Sequence, residues 1–285
     1  MSMTLAQFES WLRDPDRRPL VMGVLNVTPD SFSDGGRYAD PDAAVAHGRA
    51  LFQAGADLLD VGGESTRPGA QRVPPDEQLR RVVPVITALR RDLGDAALIS
   101  IDTTRATVAR AALDAGAAII NDISAATDDP AMLPLAADRA APIILMHMRG
   151  QPATMQDDPT YRNVVAEVIE YLQARHATAV AAGIPAHHIL IDPGIGFGKT
   201  MEHNLALLRH IADFAAIGPP LVLGTSRKGF LARITGETDT RDRLFSTAAS
   251  VAWCVANHAA IVRVHDVEPM AKVVRVIRAI QTGQP

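Results

Sequence analysis

The stretch Asn26-Val27-Thr28-Pro29-Asp30-Ser31-Phe32-Ser33-Asp34-Gly35-Gly36 directly follows the apolar run Leu20-Val21-Met22-Gly23-Val24-Leu25. A buried-type strand therefore ends on an amide and opens into a loop of hydroxyls, carboxylates and a Gly-Gly pair. Ordinary connections take about two to six residues. A loop this long and this rich in ligating groups suits a site that closes over a charged small molecule. Functional side chains also stand at the ends of seven other short apolar runs: Asp60 to Gly63, Asp102, Asn121-Asp122, Met146-His147, Asp192, Thr225 to Lys228, and Arg263 to Asp266. An Asp there often only caps the next helix, and Asp122 and Asp266 fit that role. Eight such ends out of eight are too many for capping alone. Asp102, Asn121, Asp192 and Lys228 offer two carboxylates, an amide and an ammonium, which suit a flat ligand with several N–H donors and a carbonyl. Arg263 and His265 near Asn26 and its hydroxyl-rich loop suit a phosphate group and its metal ion.

Several common chemistries are excluded. Gly198-Lys199-Thr200 looks like the end of a P-loop, but the glycine required five positions earlier is Pro193. Gly194, Gly196 and Gly198 are evenly spaced, so the dinucleotide fingerprint fails as well. That loop instead lets a planar ligand approach bare backbone, with Phe197 beside it. No His pair has zinc-protease spacing, and Cys254 is the sole cysteine, lying in an apolar run as a small buried hydrophobe. His147 and His265 lie at strand ends, and the other seven His are expected on the surface or on helices. Net charge is −4 and aromatics are 4%, so neither a basic surface nor base stacking is advertised. The N-terminus carries Glu9 and Asp14 without an apolar signal core, and no run of 18 apolar residues occurs. The expected compartment is the cytoplasm.

These residues need a scaffold that gathers strand ends. The apolar runs are residues 20–25, 57–62, 98–102, 117–121, 142–147, 188–192, 220–225 and 260–265. Each is short and rich in Val, Ile or Leu, as strands buried on both faces should be. The clearest helical segments between them are 41–55, 75–93, 104–115, 160–182, 242–258 and 267–281. Asp40-Pro41, Pro74-Pro75, Thr103 or Thr104, and Asp266 read as helix starts, and Gly55, Gly94, Gly116 and Gly183 as stops. Eight strand–helix units match a (β/α)8 TIM barrel, which takes about 250 residues. Residues 19–285 are assigned to that barrel and residues 1–18 to a short N-terminal extension. In the extension, Thr4 could cap a helix whose Leu5, Phe8, Trp11 and Leu12 form one face, a lid over the barrel bottom.

At these residues the chain resembles dihydropteroate synthase. The matching segments are Asn26 to Gly36, Glu64-Ser65-Thr66-Arg67-Pro68-Gly69, Ser100 to Thr103, Asn121-Asp122, Asp192 through Lys199, Ser226-Arg227-Lys228 and Arg263 to Asp266, in family order and across nearly the whole chain. The resemblance implies transfer of p-aminobenzoate onto 6-hydroxymethyl-7,8-dihydropterin diphosphate, releasing diphosphate, in folate biosynthesis. It implies that Asp102, Asn121, Asp192 and Lys228 hold the pterin, with Met146 and Gly224 among the substrate contacts. It implies that Asn26 binds Mg2+ and that Arg263 and His265 face the diphosphate. It places Thr66, Arg67 and Pro68 on a second mobile loop, Phe32, Ser33 and Asp34 in loop closure, and Phe197 and Ser226 beside the p-aminobenzoate pocket. Asp102, Asp192, Lys228, Arg263 and His265 would be the catalytic set. The resemblance also implies a homodimer using the helices near 242–258 and 267–281, and a sulfonamide target. One departure is Gly229, where some members carry Ser after the Lys, so a hydroxyl contact to the substrate carboxylate is missing. Two rival readings are a methyltetrahydrofolate barrel for corrinoid methyl transfer and a non-catalytic pterin-binding paralogue. The first needs neither the diphosphate loop nor Ser226-Arg227-Lys228, and the second would not need the full set of strand-end residues.

Overall fold

Each strand alternates its side chains between a central lumen and a surrounding layer of helices. The structure is a computed structural model that describes residues 3–28, 40–66, 69–237, 239–240 and 242–284. The strands are β1 (Leu20–Asn26), β2 (Leu58–Gly62), β3 (Leu98–Asp102), β4 (Ile119–Asp122), β5 (Ile143–Met146), β6 (Ile189–Asp192), β7 (Val222–Leu223) and β8 (Ile261–Val264). All pairings are parallel, in the order β6-β5-β4-β3-β2-β1-β8-β7. The two ends of that order meet at one backbone bridge, Ile191 to Leu221. The result is a nearly closed (β/α)8 barrel, as the eight apolar runs require.

The alternation explains how the barrel carries a polar site on an apolar core. Val21, Leu25, Leu59, Val61, Ile99 and Ile101 face the helices. Leu20, Met22, Leu58, Leu98, Ile119, Leu190 and Ile261 fill the lower lumen. Two residues farther along, the same lumen-facing series becomes polar: Asp60 after Leu58, Ser100 and Asp102 after Leu98, Asn121 after Ile119, Asp192 after Leu190, and Arg263 after Ile261. Register fixes the levels. Asp60 pairs with Ser100 and Gly62 with Asp102, and Asp102 pairs with Asn121.

The outer helices are α2 (Pro41–Gln53), α3 (Pro75–Leu93), α4 (Ala106–Asp114), α5 (Met132–Asp138), α6 (Val164–Ala181), α7 (Met201–Arg209), α8 (Ile211–Ala215), α9 (Gly229–Thr235), α10 (Leu244–Ala256) and α11 (Val267–Thr282). The short α5, α7, α8 and α9 offer too few turns for a clear helical period. Asp40 caps α2 by accepting the Asp42 and Ala43 N–H groups. Expected caps differ at α4 and α11. α4 starts at Ala106, whose N–H goes to Asp129, while Thr103 accepts from the Arg105 N–H and donates to Gln78. Asp266 precedes α11 without a capping bond, because both its oxygens take the Arg227 guanidinium. α6 begins at Val164, where Asn163 caps it, rather than at residue 160.

Helix α1 (Leu5–Arg13) closes the lower lumen. Thr4 and Gln7 form a reciprocal capping box at its start. Phe8, Trp11 and Leu12 pack with Met3 against Leu20, Leu58 and Leu98, each burial contributing about 1.5–3 kcal/mol. Leu5 lies off that face and is 45% exposed.

Candidate active site

The upper lumen gathers most of the expected ligand groups. Asp102, Asn121 and Asp192 are buried at the ends of β3, β4 and β6. Arg263, on β8, crosses the lumen: its Nε donates to Asp60 Oδ2 at 2.6 Å and its Nη2 to Asp102 Oδ2 at 2.8 Å. Asn121 Nδ2 donates to the same Asp60 oxygen at 3.0 Å. Asp192 Oδ1 accepts the Gly194 N–H at 2.7 Å. Lys228, just before α9, donates to the Ile195 carbonyl, and its Nζ lies 4.8 Å over the Phe197 ring. Ser226 Oγ accepts the His265 N–H at 3.1 Å and contacts His265 Nδ1 at the same distance. Met146 pairs with Asp192 in register and is buried against the backbone of Gly194.

Two glycines leave this mouth open. A Cβ on Gly62 would sit 3.4 Å from the Asp102 Cβ and 3.7 Å from Asn26 Oδ1. The bare backbone therefore keeps a cradle between an amide oxygen and a carboxylate. A Cβ on Gly224 would lie 3.9 Å from Lys228 Nζ. Asn26 Oδ1 is a hard oxygen donor of the kind Mg2+ takes when waters and phosphates complete its shell. The described residues therefore fit that ion in company with a phosphorylated ligand.

Burial and opposite charges set the protonation of these groups. Burial raises Asp102 to about 7, with Arg263 opposing and Asp60 adding to the rise. Burial also raises Asp192, against the pull of Lys228. Lys228 falls to about 8 through burial, held up by Asp192. Burial alone would lower Arg263, but Asp60 and Asp102 outweigh it and raise its pKa. Buried carboxylates in this condition gain from ligand N–H donors.

The glycine-rich loop that follows β6 lies against the segment that follows β5. Gly194 has φ 69°, and a Cβ there would come within 1.9 Å of the His147 carbonyl oxygen. Only glycine fits. Beneath this loop Lys199 is buried, its Nζ 3.0 Å from His147 Nδ1 and 3.0 Å from the Phe197 carbonyl oxygen.

Thr66 borders a groove beside the mouth with Glu64, Asp102, Thr104 and Gln151. Phe32, Ser33, Asp34, Arg67 and Pro68 lie outside the described residues. Asp122 caps no helix: it accepts from Ser124 and Ala126 and holds the turn after β4, while α5 begins only at Met132, without a side-chain cap. Cys254 is a buried free thiol, pushed up to about 12 by burial. His188 differs from expectation, being buried at the opposite end of the barrel. There Glu9, His187 and His188 cluster. The Arg13 guanidinium already supplies the positive charge, 2.7 Å from His187 Nε2 and 3.5 Å from Glu9.

Comparison with known proteins decides the family. The pterin binding enzyme family matches residues 22–265. A Synechocystis dihydropteroate synthase is 46% identical over 94% of this chain and 92% of its own length. The chain belongs to the dihydropteroate synthase family. A Xanthomonas albilineans dihydropteroate synthase solved with 4-aminobenzoic acid superposes with TM-score 0.87 at 45% identity, covering 93% of each chain. Another structure of that species' enzyme, in complex with 7,8-dihydropteroate, superposes with TM-score 0.83 at 42% identity, covering 93% of this chain and 94% of that one. Against this family frame, sequence reasoning passed over two residues. In the sequence Asp60 reads only as part of a strand end, although its position two residues before Gly62 puts it in the lumen. Lys199 reads in the sequence as a P-loop fragment, and its burial comes from the glycine loop lying against the segment after β5.

Proposed function

We propose that this chain condenses p-aminobenzoate with 6-hydroxymethyl-7,8-dihydropterin diphosphate to give 7,8-dihydropteroate and diphosphate. The observation that carries the reading is the convergence of Asp102, Asn121, Asp192 and Lys228 in one mouth, with Arg263 across it. The carboxylates and amide accept from the pterin N–H groups, and Lys228 donates to its carbonyl. Met146 and Gly224 line the pterin pocket. Phe197 and Ser226 border the p-aminobenzoate pocket, and Thr66 adjoins the mouth.

In the reaction the amine nitrogen attacks the exocyclic pterin carbon. The carbon–oxygen bond breaks, its electron pair leaves with diphosphate, and the amine releases a proton to solvent. Asp102 and Asp192 favour positive charge on the pterin as that bond weakens, in a site shielded from water. Arg263 and His265 face the departing diphosphate. The remaining work is alignment of two bound substrates. Asn26 would hold Mg2+ together with the diphosphate, and the ion would neutralise charge on the leaving oxygens.

A coupled diphosphate-release assay with both substrates tests the reading. Release should require both substrates and fall when EDTA removes the metal. No release with both substrates and Mg2+ present would refute it.

The same reading includes a homodimer and a cytoplasmic location. Phe245 and Trp253 on α10 are 82% and 50% exposed, and Val276 and Ile280 on α11 are 58% and 73% exposed. Apolar exposure on two adjacent helices supports a docking face there. Among the described residues no helix is long and apolar enough to cross a membrane.

A further inference from the structure

Asp60 is the most deeply placed acid of the lumen, with 0% exposure. A carboxylate there is a costly way to fill space, since burying a charge is unfavourable unless it is fully paired. Its pairing is also incomplete. Oδ2 serves both Arg263 and Asn121, while Oδ1 has no hydrogen-bond partner among the described residues. Ser100, its register neighbour on β3, likewise has an unpartnered hydroxyl. Both groups it does hold, Arg263 and Asn121, reach the mouth of the lumen, which points to a role in arranging them.

That role follows from hydrogen-bond polarity. Asp60 Oδ2 accepts from Asn121 Nδ2, so the amide turns its NH2 toward Asp60. The Asn121 carbonyl oxygen is then left for the mouth. The same Asp60 oxygen fixes Arg263 through Nε while Asp102 takes Nη2, which sets the guanidinium plane at two points. We propose that Asp60 is a positioning residue that makes Asn121 an acceptor, so that the site selects a pterin edge bearing an N–H rather than a bare ring nitrogen. This inference rests on the pterin-binding reading above and names a determinant of its specificity.

Exchanging the two side chains provides the test. In Asp60→Asn/Asn121→Asp the amide lies below and the carboxylate above, and the bond between them reforms in the opposite direction. The mouth still meets an acceptor and the net charge is unchanged. Calorimetry with 6-hydroxymethyl-7,8-dihydropterin diphosphate reads binding, and steady-state assays read KM for each substrate. Asp60→Asn, which lets Asn121 flip, should weaken pterin binding about tenfold or more while the KM for p-aminobenzoate stays within about threefold. Asn121→Asp alone opposes two carboxylates and should bind still more weakly, and the exchanged pair should recover most of the loss. Should Asp60→Asn fail to melt cooperatively, the comparison of Asn121→Asp with the exchanged pair decides alone. Pterin binding within about threefold of wild type in Asp60→Asn, equal losses for both substrates, or no recovery in the exchanged pair would overturn the proposal. A wild-type chain that does not bind the pterin would instead overturn the functional reading, and this inference with it.

Discussion

Nζ of Lys199 sits 3.0 Å from Nδ1 of His147, and burial disfavours the protonated form of both groups. Burial lowers His147 to about 3, with the Lys199 and Arg149 charges adding to the fall. Burial likewise takes Lys199 well below its ordinary range. The folded state thus refuses protons that the unfolded chain accepts. For His147 the window runs from about 6.5 down to about 3, and stability is lost as pH falls through it. Between pH 6.5 and 5 the loss is about 2 kcal/mol. His147→Asn should melt with a shallower acid limb than wild type. Parallel acid limbs in thermal scans from pH 7 to pH 5 would contradict this.

Asp192 ends a buried strand and is itself buried with one oxygen held by Gly194. Asp192→Ala leaves pterin N–H donors without acceptors and should weaken pterin binding by about 2–4 kcal/mol. Calorimetry with a pterin analogue measures it, and an affinity within about threefold of wild type would remove Asp192 from the site.

The exposed apolar side chains of α10 and α11 predict association. Light scattering at micromolar concentration should give about twice the 30.4 kDa chain mass. Phe245→Glu with Ile280→Glu should shift the protein to a single chain while the barrel still melts cooperatively. Monomeric wild-type protein would dispose of the dimer.

Gly229 opens α9, and a Cβ there would meet nothing within 4 Å. Gly229→Ser should therefore fold normally and add a hydroxyl directly after Lys228. The expected result is a KM for p-aminobenzoate lowered by about twofold to tenfold with the pterin KM unchanged, as one added hydrogen bond would give. An unchanged p-aminobenzoate KM would show that the hydroxyl is not a missing contact.

Most of the architecture was legible because a strand buried on both faces must be an unbroken apolar run. All eight strands fall within two residues of such runs. Asp102, Asn121 and Asp192 were legible because they break the apolar pattern where the strands end. Asp60 breaks it in mid-strand, between Leu59 and Val61, and only the inward direction of its side chain gives it meaning. Lys199 resembles a surface cation in the linear chain. Its burial depends on the left-handed turns at Gly194, Gly196 and Gly198, which no hydrophobic period encodes. Asp266 misled as a cap because Arg227, 39 residues earlier in the chain, outcompetes the local N–H groups for its oxygens.

The barrel's hoop is almost unlaced between β6 and β7, where Ile191 and Leu221 form the lone bridge. Asp192 emerges on one side of that gap and Lys228 on the other. A pterin gripped by both would act as a rivet, completing a circumference that the main chain leaves open. Occupancy would then be felt as backbone stiffening, with slowed amide exchange concentrated at residues 189–192 and 221–225, and the substrate would become, for the length of one turnover, part of the barrel wall.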